Sequence, residues 1–458
     1  MLDGHVRTGG LMPILVQLGP AAPCGLHVHS GFGLGREFAG NAFACGFNTR
    51  TVSRHVLTPQ GATYATLDTP FLTADSADFH PTDVIEDADG TLLICDTGGW
   101  YKLCCPTSQL EKPAVSGGVY RVRRLEAPPV EDPRGLRLEW DETDPAGLVR
   151  RLGDPRPAVA KRAADMLARL GAEAVPRLAE LIAAEDATAT ACRGALWTLS
   201  RIDGIEAARA AVRPAVRHRD PDVRHVAAVV AGLHRDRAAV ADLAAGVRES
   251  GLAGVRAAAE ALGRIGGAEA VDVLLALAAA DGDRVLRHTL IYALIECGLP
   301  EPVLAAAGSV DPRVRLVALG ALDQMGRRGL AVALPRERVI EACRAEDADL
   351  RESALWIAAQ HPEWAGDVAE VFAGALAAAA VLPRPQEDRV VANLAGLAVH
   401  PAAADAFAAA CQAASPAVRG LALTVMRSAR MRAAPESWIG AIGGIAARGR
   451  AAGDAAGL

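Results

Sequence analysis

Two near copies of one pentapeptide, Asp220-Pro-Asp-Val-Arg224 and Asp311-Pro-Arg-Val-Arg315, decide the fold of most of this chain. Aspartate before proline is typical of a helix start, because the carboxylate accepts free N–H groups of the first turn and proline fits the first helical position. The Val-Arg dipeptide recurs as Val255-Arg256 and Val418-Arg419. The anchoring valines, at positions 223, 255, 285 and 314, are 32, 30 and 29 residues apart. This spacing predicts a repeat of about 30 residues that contains two helices.

Alanine-rich segments between these anchors complete the repeat. They have the apolar periodicity of helices, as in Ala174–Ala184, Ala238–Arg248 and Ala268–Ala279. Small side chains at i, i+3 and i+4 let neighbouring helices approach closely. We therefore expect residues 146–450 to form a HEAT-like α-solenoid that is almost wholly helical, with about nine helix pairs.

The arginine that follows each anchoring valine has two interpretations. In the structural one, its stem packs over the next repeat and its guanidinium bonds to the capping aspartate or to loop carbonyls. In the functional one, a ladder of arginines lines a face that binds anions. The sequence favours the structural interpretation and leaves the other open.

The first 140 residues have a different composition and hold 11 of the 18 aromatic residues. Short apolar and β-branched runs alternate there with turn-forming sequences, and Asp89-Gly90 before Thr91 indicates a tight hairpin. The predicted strands are Leu26–Val28, Asn41–Phe47, Val52–Thr58, Thr63–Leu67, Thr91–Cys95 and Val119–Val122. The sequence thus predicts a β region over residues 1–125, suited to a propeller or a sandwich, and a proline-rich linker over residues 126–145.

Longer motifs in the β region carry a specific resemblance. They are Leu18–Gly25, Phe47–Pro59, Phe79–Gly90, Cys95–Leu110 and Gly117–Arg124. Together they resemble the membrane-bound dehydrogenase family, also called PVC-type haem-binding proteins. The resemblance implies a sugar-dehydrogenase-like β-propeller, HEAT repeats and a C-terminal c-type cytochrome segment. It implies that residues 1–125 are the C-terminal part of such a propeller.

The chain departs from this family pattern at both ends. A closed propeller needs at least four blades, whereas 125 residues supply about two. No Cys-x-x-Cys-His motif for covalent haem occurs in the sequence. The family is exported to the periplasm, yet the first residues lack the pattern of a signal peptide, so the location stays open. We therefore expect a partial propeller with the character of a gene fragment. In a complete propeller, the resemblance would imply a quinone cofactor or calcium.

Candidate site residues lie in the β region. His80, Asp83 and Asp96 flank the predicted hairpin and supply an acid and a base, which makes them candidates for catalysis. Capping and turn hydrogen bonds are the alternative roles of both aspartates. The candidates for substrate binding are His29, Arg50, Trp100 and Tyr101. Arg50 forms a polar cluster with Arg54 and His55, for which a solvated loop or a salt bridge at a blade edge is the alternative. His27-Val-His29 is weak evidence for a metal, and we predict none. Adjacent Cys104 and Cys105 are either two independent thiols, or a strained vicinal disulfide or local pair of partners.

Three functions fit these observations. The first is a HEAT-repeat interaction scaffold that carries a partial dehydrogenase-like propeller and is itself non-catalytic, with protein partners bound on the concave solenoid face. The alternative is a portion of a periplasmic sugar or alcohol dehydrogenase with its active site in the propeller. The third is an unrelated binding module. A net charge of −6 argues against a nucleic-acid partner. No apolar stretch approaches the roughly 20 residues of a membrane span.

Overall fold

The computed structural model describes most of the chain. The described residues are 12, 14–99, 114–141, 144–247, 250–330, 332–364, 371, 374–376, 379, 384–398, 400–413, 415–429 and 431–451. Two compact units contain them. One comprises Met12–Ile265 with Gly282–Leu286, and the other comprises Gly266–Asp281 with the residues from Arg287 onward. The β region therefore shares a unit with the first helices.

In the part of the β region that the structure describes, seven strands form two antiparallel sheets. The strands are β1 (Pro23–Val28), β2 (Ala42–Gly46), β3 (Thr51–Gln60), β4 (Thr63–Thr73), β5 (Pro81–Glu86), β6 (Leu92–Asp96) and β7 (Gly118–Val122). The first sheet has the order β1-β2-β3-β4 and the second has the order β5-β6-β7. The predicted hairpin at Asp89-Gly90 joins β5 to β6. The predicted runs did not include β5, because Pro81 and Asp83 interrupt its apolar pattern.

The expectation of small antiparallel sheets is confirmed, whereas a propeller is not. Within residues 14–99 and 114–141, each sheet has two edge strands and neither closes into a ring. The register of β3 against β4 shifts between Val52 and Ser53, and that of β5 against β6 shifts between Pro81 and Asp83. Such bulges turn the following side chains relative to the ladder.

One apolar core holds the two sheets together. Phe43 and Val52 of the first sheet and Leu92 and Ile94 of the second are completely buried in it. Phe71 packs edge-on against Phe43 with ring centroids 4.8 Å apart. Burying such aromatic and branched side chains contributes about 1.5–3 kcal/mol each. The sheets therefore form one folding unit.

Glycines permit two close approaches between the sheets. A Cβ on Gly25 of β1 would lie 2.5 Å from the Cα of Asp83 in β5. Gly33 and Gly90 have φ angles of 68° and 80°, and a Cβ on either would lie within 2.2 Å of the other segment's backbone oxygen. Only glycine combines that backbone conformation with that separation. The loop after β1 is thus seated on the β5–β6 turn.

The segment predicted as a linker is docked at both ends. Arg134 bonds to Asp87 of the β5–β6 turn at 2.6 Å. At the helical side, the guanidinium groups of Arg151 and Arg162 lie 4.4 and 4.3 Å from the centroid of the Trp140 ring. Cation–π contacts of this kind contribute about 0.5–1 kcal/mol each when exposed. The division into residues 1–125, 126–145 and 146–450 remains a prediction about the sequence.

Helices occupy the remainder of the described chain. In the first unit they are α1 (Pro145–Arg150), α2 (Pro157–Leu170), α3 (Val175–Ala183), α4 (Ala189–Leu199), α5 (Glu206–Val212), α6 (Pro221–Leu233), α7 (Val240–Gly246) and α8 (Leu252–Ile265). The next are α9 (Ala268–Ala278), α10 (Arg284–Cys297), α11 (Pro300–Ala306), α12 (Pro312–Arg327), α13 (Arg336–Ala342) and α14 (Ala348–Ala359). The last are α15 (Arg384–Leu397), α16 (Pro401–Ala410), α17 (Pro416–Ser428) and α18 (Glu436–Ala451). The predicted helical repeat is confirmed.

Alternate helices pack side by side, which gives a layered repeat. In the first unit α2, α4, α6 and α8 contact one another in that order, and we call these four the second-helix layer. The predicted caps are present: Asp220 accepts the N–H groups of Asp222 and Val223, and Asp311 accepts that of Arg313. Gly232 of α6 lets α8 approach so closely that a Cβ there would lie 2.8 Å from the Cα of Ala261. Small residues therefore set the helix spacing.

Candidate functional site

His80 and Asp96 lie together at one end of the second sheet. The carboxylate of Asp96, the last residue of β6, accepts the backbone N–H groups of His80 and Gly98, both at 2.8 Å. The Nδ1 of His80 lies 2.9 Å from the carbonyl oxygen of Gly98 and donates to it. The His80 ring packs against Phe47, with centroids 4.6 Å apart. These bonds hold a turn, which is the alternative role that the sequence left open for Asp96.

Asp83 makes different contacts from those of His80 and Asp96. It is exposed at the bulge of β5, and its Oδ1 accepts the N–H of Val84 at 2.9 Å. The backbone of Gly25 crosses directly over it.

The two histidines of His27-Val-His29 converge on one glutamate. His29 is 1% exposed; its Nδ1 accepts the N–H of Gly31 at 2.8 Å, and its Nε2 donates to the carbonyl oxygen of Gly90 at 2.9 Å. His27 Nε2 lies 3.3 Å from Glu86, which also accepts the N–H of Ser30. Because backbone groups use both nitrogens of His29, this pair fixes the loop to the β5–β6 turn.

The remaining candidates for substrate binding differ in their surroundings. Arg50 is exposed beside the start of β3 and has a φ of 54°. Arg54 lies over the Phe38 ring and bonds to Asn41 at 2.6 Å. Trp100 and Tyr101 lie outside the described residues, as do Cys104 and Cys105. The structure thus brings together His80 and Asp96, and it gives His29, Asp83 and Arg50 other contacts.

The repeated arginines make the contacts of the structural interpretation. Arg224, Arg351 and Arg419 each donate to the carbonyl oxygen six residues earlier, at 2.7, 2.6 and 2.7 Å. These carbonyls belong to the loop before each helix, where backbone acceptors need partners. Each of these three arginines therefore closes the loop of its own repeat, whereas Arg315 pairs with Glu341 of α13 at 3.2 Å.

Arg256 occupies the same repeat position and makes a different contact. Its Nη1 donates to the carbonyl oxygen of Ala62, in the turn between β3 and β4, at 3.1 Å. Asp283, just before α10, accepts the N–H of Ala62 at 2.7 Å with Oδ2 and that of Leu286 at 2.8 Å with Oδ1. Helix ends of the repeat thus hold both polar backbone groups of one β-turn residue.

An exposed tryptophan lies on the second-helix layer. Arg193 and Trp197 lie four residues apart on α4 and share a face, and Arg201 lies two residues beyond the end of that helix at Leu199. We call these three residues the Trp197 stripe. Arg193 pairs with Asp222 of α6 at 3.4 Å, and Arg201 pairs with Asp165 of α2 at 2.7 Å. Trp197 itself is 46% exposed between them. Tryptophan and arginine are enriched among the residues that dominate binding at protein interfaces.

The sequence did not predict two side-chain networks that the structure contains. The first joins Ser53, His55 and Asp68 on β3 and β4, and the spacing Ser-x-His on a strand was its only local signal. The second surrounds the buried Asp323 of α12, which His361 Nε2 contacts at 2.9 Å. Burial opposes the charged form of His361, but the carboxylates of Asp323 and Glu363 outweigh it, so its pKa is raised. Residues 38 apart in sequence gave no sign of this contact.

The described residues contain neither a metal-binding cluster nor a membrane-spanning helix. No group of three or more His, Cys, Asp or Glu side chains is arranged to hold a metal ion in the part of the chain that the structure describes. Among the helices described above, none is both long enough and apolar enough to cross a membrane.

Two protein families match different parts of the chain. Residues 210–295 match the family of HEAT repeats, and residues 17–116 match a domain of unknown function, DUF7133. No curated protein sequence matches the chain. The helical part is therefore a HEAT-like repeat scaffold. The second match falls within the predicted β region, and its description gives no activity.

Several solved structures are similar at low identity. Kap95p, solved with RanGDP, is 13% identical, with 63% of this chain and 45% of Kap95p covered and a TM-score of 0.42. The complex of CpcE and CpcF of phycocyanin lyase from Nostoc sp. PCC7120 is 18% identical, with coverages of 59% and 100% and a TM-score of 0.29. This chain thus spans about half the length of Kap95p. At such TM-scores the similarities carry no argument about function.

Proposed function

We propose that this protein is an interaction scaffold whose HEAT-like helices bind a protein partner, with the β region fixed to them as a partial propeller of the dehydrogenase-like kind. The observation that carries the proposal is the Trp197 stripe, an exposed aromatic flanked by arginines on the second-helix layer. The HEAT match at residues 210–295 and the resemblance of the β motifs support the two halves of the proposal.

The contact at Ala62 supports the same proposal. Arg256 and Asp283 recognise a turn through its backbone N–H and C=O, which any peptide segment carries. Helix ends of this repeat therefore already bind polypeptide within the chain. The charged residues of the stripe are paired, so a partner there would gain mainly from covering the tryptophan.

The partner surface can be tested by photo-crosslinking. With a benzophenone amino acid in place of Trp197, we expect capture of a discrete protein in extracts of the native source. The same amino acid in place of Arg177, which is 54% exposed on α3, should not capture it. With that protein purified, Trp197→Ala should weaken binding about 30-fold or more, because truncating a central hot-spot residue costs about 2 kcal/mol. Equal capture at both positions, or unchanged affinity, contradicts the proposal.

A dehydrogenase site does not fit the residues described here. The chemistry that the family resemblance implies needs a free base and free ligand oxygens, whereas backbone groups engage His80 and Asp96. We propose that this chain holds no quinone, calcium or haem and that a complete propeller would be needed for a periplasmic sugar or alcohol dehydrogenase.

The corresponding prediction concerns sugar oxidation. The purified chain should show no dye-linked oxidation of a panel of aldoses, with or without added quinone cofactor and calcium. The reason is that the carboxylate of Asp96 and the Nδ1 of His80 are engaged in a turn. Turnover above background that Asp96→Asn or His80→Ala abolishes would favour the dehydrogenase alternative instead.

A further inference from the structure

Ser53, His55 and Asp68 form a continuous hydrogen-bonded series across two strands. Ser53 Oγ lies 2.8 Å from His55 Nε2, and His55 Nδ1 lies 2.7 Å from Asp68 Oδ1. Ser53 and His55 are two residues apart on β3, so their side chains share a face, and His55 pairs directly with Asp68 on β4. Val52, on the other face, lies in the apolar core. The series is therefore on the face of the sheet opposite the core.

The protons of this series can be assigned from its partners. A carboxylate only accepts, so Nδ1 of His55 carries a hydrogen and donates to Asp68. In the neutral imidazole, Nε2 then has a lone pair and accepts the hydroxyl hydrogen of Ser53. When Nε2 takes up a proton, the Ser53 hydroxyl can turn to the carbonyl oxygen of Ala44, which lies 3.2 Å away. Every group has a partner in both states, so proton transfer needs no rearrangement of the backbone.

A cavity lies beside the serine. Its volume is 290 Å³, and Ser53 and Asp68 line it together with Leu18, Gly46, Thr51 and Thr69. His55, in contrast, is only 4% exposed. The hydroxyl thus faces a space that could hold a small molecule, while the imidazole that accepts its proton is shielded. This size lies near the lower end of ligand pockets.

His29 and His80, two other histidines of the β region, have different partners. His29 exchanges hydrogen bonds with backbone groups, and His80 donates to carbonyl oxygens. His55 lies between a hydroxyl and a carboxylate, the arrangement that activates a serine for attack on an acyl group. His55 thus differs from His29 and His80 in its hydrogen-bond partners, which are both side chains.

We propose that Ser53 is a nucleophile that accepts the acyl group of small carboxylic esters. Its oxygen would form a bond to the carbonyl carbon while its proton passes to His55 Nε2. The bond to the alcohol oxygen then breaks, and the departing alkoxide takes the proton from Nε2. Water hydrolyses the acyl-serine by the same transfers and releases the carboxylic acid. Asp68 is a positioning residue that fixes the imidazole. This activity is independent of partner binding on the helices.

Labelling of the full chain with diisopropyl fluorophosphate tests the proposal. The serine oxygen would attack phosphorus, fluoride would leave and His55 would take the proton, so one adduct should map to Ser53 by mass spectrometry. Hydrolysis of p-nitrophenyl acetate should fall to the level of free imidazole in Ser53→Ala. In His55→Gln both labelling and hydrolysis should fall about 100-fold, as expected for loss of a general base. Ser76→Ala is the matched control, an exposed serine whose hydroxyl accepts the N–H of Asp78, and it should behave as wild type.

Asp68→Asn separates positioning from a structural role. Since Asp68 is 38% exposed, solvent weakens its field, and we expect about tenfold slower labelling. Asp68→Glu keeps a carboxylate acceptor for Nδ1 and should restore most of the labelling rate, as expected for a positioning residue. An unchanged labelling rate in Asp68→Asn at unchanged melting temperature would contradict this role. Labelling that is absent in wild type, or that persists in Ser53→Ala, would overturn the proposal even if His55→Gln fails to fold.

Discussion

Replacing Asp283 by alanine should destabilise the first unit and release the β3–β4 turn from the helices. The carboxylate accepts the N–H of Leu286 in the first turn of α10 and the N–H of Ala62 in the β-turn. Loss of a helix cap costs about 1 kcal/mol, and loss of a charged acceptor from a buried amide costs about 1–3 kcal/mol more. Ala62 is only 2% exposed, so water does not readily replace the lost partner. We expect the unfolding free energy to fall by about 2–4 kcal/mol.

Urea denaturation measures the overall loss, and amide hydrogen exchange at Ala62 measures the release of the turn. Asp220→Ala is the matched control, since Asp220 caps α6 through the N–H groups of Asp222 and Val223. It should cost about 1 kcal/mol and leave exchange at Ala62 unchanged. A loss in Asp283→Ala no larger than in the control, with slow exchange at Ala62, would mean that the turn is held by other contacts.

Replacing Gly90 by alanine should separate the loop after β1 from the β5–β6 turn. Gly90 has a φ of 80°, and an added Cβ would lie 1.9 Å from the carbonyl oxygen of Phe32. The backbone conformation costs an alanine about 1–2 kcal/mol, and relieving the overlap costs about 1–3 kcal/mol more. His29 would also lose its acceptor, the carbonyl oxygen of Gly90, if the turn moved away. The total expected loss is about 2–5 kcal/mol.

Gly40→Ala distinguishes backbone strain from overlap. Gly40 has a φ of 72°, similar to that of Gly90, but no atom lies within 4 Å of its added Cβ. It should lose only the conformational part, about 1–2 kcal/mol. Thermal unfolding of both variants gives the comparison. Equal losses of stability in the two variants would contradict the close contact between Gly90 and the carbonyl oxygen of Phe32.

The repeat could be predicted well because its signals are local. A capping aspartate, the proline after it and the apolar spacing of α6 all lie within one stretch of 14 residues, Asp220–Leu233. The β5–β6 turn also has a local signal, because the dipeptide Asp89-Gly90 predicts it. That hairpin implies a strand before it, but the bounds of β5 could not be predicted, because its bulge at Asp83 breaks the alternation on which strand prediction depends.

The candidate site was harder to predict because its contacts join distant residues. His80, Asp83 and Asp96 were grouped by their places beside one hairpin, yet only His80 and Asp96 share a hydrogen bond. His55 was noted beside Arg50 and Arg54, its neighbours in sequence. Its partner Asp68 comes from the facing strand, 13 residues away. Sequence neighbours on a strand point to opposite faces, whereas cross-strand partners share one.

The sequence by itself determined that this protein has a β region followed by a capped helical repeat, since local propensity and periodicity are properties of short segments. The tertiary structure decided that Arg256, unlike Arg224, reaches out of its repeat to Ala62. It also decided that Ser53 and His55 meet Asp68, because that meeting depends on the register of β3 against β4. A slip of one residue would turn His55 to the other face of the sheet. Register is set by long-range packing around Phe43 and Val52, which no short segment of the chain contains.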